Sequence, residues 1–217
     1  MFRLVRIFVG LALIYLFVAV IILMYSRAPE VAERKDYTEA DKWYRPRVER
    51  GNERIQKEPG DRKKQNPTAE KVSMFTLGID ELKRLAEEGN AEAQYNLALR
   101  YISGKDVDKD YAEVAKWHRK AAEQGHIVSQ LTLGEMYLRG VGVAQDDVEA
   151  TKWFQLAAEQ GDRYGQYMLG LAYAEGKGVP KNNSEAIKWY RMAAEQGYVD
   201  AKKALEAMEK QAPPSAK

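Results

Sequence analysis

Four glycines, Gly89, Gly125, Gly161 and Gly197, stand 36 residues apart, and the residue types around them repeat in the same register. Trp117, Trp153 and Trp189 align, as do Leu97, Leu133, Leu169 and Leu205, then Tyr101, Tyr137 and Tyr173, then Gly104, Gly140 and Gly176. Three copies close on Ala-Ala-Glu-Gln-Gly, beginning at Ala121, Ala157 and Ala193. A fixed period of this length restricts the chain to an array of small units, each buried against its neighbours because none can cover its own apolar face.

Each unit reads as two helices. After the repeat glycine, Ala93, Leu97, Ala98 and Tyr101 fall on one face of a 3.6-residue period. Gly104 ends that helix, since glycine takes the left-handed conformation of a C-terminal cap. Asp110, Asp146 and Asn182 then stand where an N-cap is wanted, their side-chain oxygens accepting a free backbone N–H. The second helix carries Trp117, Ala121 and Ala122 and stops at Gly125. Small residues at Ala93, Ser129, Gly165 and Ala201, and at Ala98, Gly134 and Gly170, let paired helices approach closely.

The pattern Ala-x-x-x-Leu-Gly-x-x-Tyr, Gly-x-Gly-Val, Lys-Trp-Tyr/Phe and Ala-Ala-Glu-Gln-Gly resembles the Sel-like repeat, a relative of the tetratricopeptide repeat. The resemblance implies an all-α fold, an α/α superhelical solenoid of helical hairpins. Full repeats are expected at 89–124, 125–160 and 161–196, with a capping helix at about 198–210, all within a solenoid spanning 68–210. Three positions depart from the pattern: Asp106 replaces the loop glycine of Gly142 and Gly178, and His126 and Tyr198 replace the capping Asn90 or Asp162.

Ahead of the array, Ile7–Tyr25 is a run of nineteen residues without a charge, flanked by Arg3, Arg6 and Arg27. About 20 apolar residues cross a bilayer as a helix. The run exceeds the usual apolar stretch of a signal peptide, so residues 1–27 are expected to be a retained transmembrane anchor contacting lipid through residues 7–25. Arg3 and Arg6 lie close to the span on a short head, which favours an N-terminus inside and a body outside the cytoplasmic membrane, periplasmic in a bacterium. The opposite orientation makes the body a cytoplasm-facing adaptor. Residues 28–67 form a charged linker, within which the Lys-Trp-Tyr-Arg core at 42–45 marks a degenerate repeat helix near 37–50, broken by Pro46. A helix is expected to resume from Pro67 to Glu88, interrupted by Gly78, and 211–217 is expected to be a disordered tail.

Chemistry has little to work with. The absence of cysteine excludes disulfides and thiolate sites. Over residues 71–217, Lys and Arg number 20 against 22 Asp and Glu, unlike a nucleic-acid binder. His118 shares a slot with Phe154 and Tyr190 and is expected to be a packing aromatic at the hairpin surface, while His126 sits at a helix start. No phosphate loop or metal-ligand spacing is present, so no cofactor, metal or catalytic residue is expected and the chain is not expected to be an enzyme. Cysteine-rich members of the family have been associated with β-lactam binding or hydrolysis. An envelope hydrolase or glycan/β-lactam-binding protein therefore stays as an alternative, without the cysteines that carry it.

A protein-binding scaffold of the cell envelope is the favoured function. By the same resemblance the first helix of each unit lines the concave face. The residues projected there are Tyr95, Leu99, Ile102 and Ser103, then Leu131, Glu135, Leu138 and Arg139, then Tyr164, Tyr167, Leu171 and Glu175. Such an apolar stripe with aromatic anchors suits a partner's peptide or helix. Tyr95, Leu131 and Tyr167 recur and equally suit packing between units; Ser103, Glu135, Arg139 and Tyr164 differ between copies and are the better partner-reading candidates.

Overall fold

The computed structural model describes residue 74 and residues 77–211. These carry eight helices and no strand: α1 (Ile79–Glu87), α2 (Ala91–Ser103), α3 (Tyr111–Glu123), α4 (Ile127–Arg139), α5 (Asp147–Glu159), α6 (Arg163–Glu175), α7 (Asn183–Glu195) and α8 (Val199–Gln211). Each packs against its neighbour in sequence, so α2–α3, α4–α5 and α6–α7 are three hairpins stacked between α1 and α8. The transmembrane span expected at 7–25, the degenerate helix near 37–50 and residues 212–217 lie outside the described residues. Among the described residues no helix is long and apolar enough to cross a membrane.

Capping sets the helix boundaries. Asp110 accepts the N–H groups of Ala112 (2.8 Å) and Glu113 (3.2 Å), and Asp146 and Asn182 do the same for α5 and α7. This satisfies donors that a helix start otherwise leaves open. Of the helix expected from Pro67 to Glu88, the described part is α1, which begins at Ile79 after the extended backbone of Gly78 (φ −61°, ψ 153°).

The hairpin core is built from small residues under rings. A Cβ added at Gly134 would lie 2.7 Å from Phe154, and one at Gly170 would lie 2.6 Å from Tyr190, so ring and helix backbone touch in both units. In the first unit the corresponding pair is Ala98 with the smaller ring of His118. His118 is 0% exposed, which corrects its expected place at the hairpin surface: it fills the same core slot as the larger rings.

The two ends of the array differ from its middle in ways the residues explain. A Cβ at Gly142 would lie 2.0 Å from the carbonyl oxygen of Tyr111, and its φ is +68°, so both space and backbone demand glycine. Asp106 occupies the corresponding turn with the same φ of 68°, so the departure leaves the geometry intact. The helix ahead of it begins four residues late in register, at Ile79, and the side chain of Asp106 is used instead to bind Arg100 at 2.6 Å. Arg100 is largely buried and also donates to the Leu77 carbonyl at 3.1 Å, tying the turn to the start of α1. At the far end, the slot of Gly134 and Gly170 becomes the exposed Glu206, and that of Gln130 and Gln166 the exposed Lys202. A charged outer face on the last helix ends the stack in water.

Candidate protein-binding face

The first helices α2, α4 and α6 communicate directly. His126, at the start of α4, places Nε2 3.7 Å from Glu92 of α2, and the Tyr164 hydroxyl of α6 donates to Glu135 of α4. Glu135 is 3% exposed and also faces the Arg139 guanidinium at 3.5 Å. Three of the four copy-varying residues, Glu135, Arg139 and Tyr164, thus meet in one network across two units. Ser103 is not part of it; its hydroxyl donates to the Arg100 carbonyl (3.0 Å) and accepts from the Lys105 N–H (3.2 Å), closing α2.

Burial separates the projected residues into two groups. Tyr95 is 1% exposed, its ring against His126 (4.8 Å between centroids) and His118 (5.8 Å), and burial raises its phenol pKa, with Glu92 adding to the effect. Tyr167 is half-buried among Tyr164, Tyr190 and Tyr198, with centroids 5.0–6.4 Å apart. In this cluster the Tyr190 hydroxyl is pushed up to about 12, mainly by burial. Leu99, Ile102, Leu131, Leu138 and Leu171 are half-buried. The exposed residues are Ser103, Arg139 and Glu175, which hold the same register position at the last turn of α2, α4 and α6. Glu175 pairs there with Lys177 at 2.7 Å. Packing therefore takes Tyr95 and Glu135 away from any ligand and leaves a row of three chemically different side chains beside an apolar border.

A glutamine ladder was not foreseen from the sequence. Gln94, Gln130 and Gln166 donate to the carbonyls of Ala86, Ala122 and Ala158 in the preceding helix, and accept from Gln124, Gln160 and Gln196 at 2.7–2.8 Å. Each bond pair ties the C-terminus of one second-type helix to the first-type helix of the following unit and on to that unit's own end. The signal was the 36-residue recurrence of both glutamines; the burial of Gln94, Gln130 and Gln166, absent from their exposed partners, is what distinguishes the ladder from solvated polar residues. Among the described residues no group of three His, Asp or Glu side chains is placed to hold a metal.

Comparison with known proteins agrees with this construction. A family model described as Sel1 repeat matches residues 91–126, 127–162 and 163–198. A Sel1 repeat protein from Oxalobacter formigenes of known crystal structure is 40% identical, with a TM-score of 0.55 over 59% of this chain and 97% of that one. A protective antigen of uropathogenic Escherichia coli strains, described as displaying an SLR fold, is also 40% identical with a TM-score of 0.55, over 59% of this chain and 27% of its own. The Secretory immunoglobulin A-binding protein EsiB of Escherichia coli O6:H1 is 43% identical over 53 residues, 23% of this chain, which spans 11% of that protein. With three consecutive repeats matched and a solved relative covered almost end to end, the chain belongs to the Sel1 repeat family.

Proposed function

We propose that this protein is a membrane-anchored scaffold that holds partner proteins on the face shared by α2, α4 and α6, with its solenoid outside the cytoplasmic membrane, and that it is not an enzyme. The observation that carries the reading is the exposed row Ser103, Arg139 and Glu175. Core packing repeats its residue types, yet this row changes from small polar to cationic to anionic beside the half-buried Ile102 and Leu138. A face that varies where packing does not require it is suited to reading a partner's side chains. The uncharged run Ile7–Tyr25 supports the anchor, and Arg3 and Arg6 on the short head support the orientation. The relative named for binding secretory immunoglobulin A is itself a protein binder, which favours a protein ligand for such repeats; the 53-residue match carries no particular ligand across.

The test uses a photo-crosslinking amino acid placed at Ser103 or Glu175 in the full chain in its native membrane, with Lys116 of α3 as the control position. Discrete crosslinked partners are expected from the first two positions. With the crosslinker at Ser103, the reversal Glu175→Lys, which leaves the buried Glu135 its Arg139 partner, is expected to lose them while the helical circular-dichroism melt is unchanged; capture that survives this reversal refutes the assigned face. Protease digestion in spheroplasts tests orientation separately: a solenoid fully protected from external protease places it in the cytoplasm.

A further inference from the structure

The start of α4 is built unlike its counterparts. Asn90 caps α2 by accepting the Ala93 N–H at 2.9 Å, and Asp162 caps α6 by accepting the N–H groups of Tyr164 and Gly165. Their oxygens remain acceptors at mildly acidic pH. At α4 the acceptor is Nδ1 of His126, which receives the Ser129 N–H at 3.2 Å. That nitrogen must therefore hold its lone pair, and the ring hydrogen sits on Nε2, facing Glu92. The Ser129 hydroxyl lies 2.9 Å from Nδ1 of His126 and 3.1 Å from Nδ1 of His118. The consistent assignment is a chain in which His118 donates to Ser129 and Ser129 donates to His126.

The titratable groups facing His126 are Glu92 and Tyr95 from α2 and, through Ser129, His118 from α3. His118 is fully buried and held neutral, down to about 3, by loss of solvation and then by His126 itself. With its hydrogen on Nε2, the His126 ring has one nitrogen able to take a further proton, and that nitrogen is the cap. There it meets the Ser129 N–H, which cannot turn away, and the Ser129 hydroxyl must switch from donor to acceptor, while the Glu92 carboxylate beside Nε2 attracts the imidazolium away from both.

We propose that the joint between the first and second units is proton-sensitive: a proton on His126 removes the cap of α4 and loosens the first unit from the second, while the joints capped by Asn90 and Asp162 stay closed. The test is hydrogen exchange on the full chain at pH 7 and pH 5.5, comparing the Ser129 amide with the equivalent amides of Ala93 and Gly165 in the same molecule. Protection at Ser129 relative to those references is expected to fall roughly five- to tenfold on acidification, the factor that loss of one helix cap gives. His126→Asn, which reproduces Asn90, is expected to keep protection at both pH values. A constant ratio in the native chain, a parallel fall at all three amides, or a fall that persists in His126→Asn each overturns the proposal.

Discussion

His118 makes global stability depend on acid. Its imidazole is 0% exposed and is held at about 3, against an ordinary value of 6.5, mainly because burial removes the water that would solvate the imidazolium. The unfolded chain protonates this ring as pH drops below 6.5, whereas the folded chain does not until about 3. Folding energy is therefore present in full above 6.5 and is lost progressively between those values. Linkage gives a loss of about 2 kcal/mol between pH 7 and pH 5 from this one group. The perturbation is His118→Phe with Ala98→Gly, which installs in the first unit the Phe154–Gly134 pair of the second and so gives the larger ring its space. Urea unfolding of the full chain, followed at 222 nm, measures stability at each pH. Carboxylates and His126 are common to both proteins, so the native chain should lose about 2 kcal/mol more than the variant on going from pH 7 to pH 5. Parallel curves, within about 0.5 kcal/mol, the level at which independent changes add, would refute the claim that this imidazole is buried neutral.

Two further pairs of substitutions test the turns and the joints between units. Gly142→Ala should cost about 3–5 kcal/mol, since it combines a forbidden backbone region with a clash against the Tyr111 carbonyl, whereas Asp106→Asn should cost about 1 kcal/mol or less because asparagine tolerates the same φ and still accepts from Arg100; thermal melts compare the two. Gln130→Ala should cost about 1–3 kcal/mol by breaking its bonds with Ala122 and Gln160, and a double-mutant cycle with Gln160→Ala should show a coupling of about 0.5–1.5 kcal/mol; additive effects would mean the ladder is solvated.

Repetition made the architecture legible. The glycine spacing, the Asp/Asn caps and the Trp and Ala positions are local rules restated three times, and the observed helices obey them. The site was less legible because the same periodicity that locates a residue on a helix does not say what covers it. Glu135 stood among the partner-reading candidates and is buried under Tyr164; Tyr95 suited either an anchor or packing between units, and its burial against two histidine rings decides for packing. His118 read as a surface aromatic because its slot showed only a size class, not its depth.

What the sequence determined by itself was therefore the unit: where helices start and stop, which face is apolar, and how many hairpins follow one another, all of which depend on residues within about one turn of each other or at the fixed repeat distance. Only the tertiary structure decided what happens between units. There the meeting of α4 with α2, α3 and α6 sets the burial of Glu135, the glutamine ladder and the His118–Ser129–His126 chain. These contacts join residues that no local rule relates, and their energy depends on how much water the packing removes, a quantity that exists only once the helices are stacked.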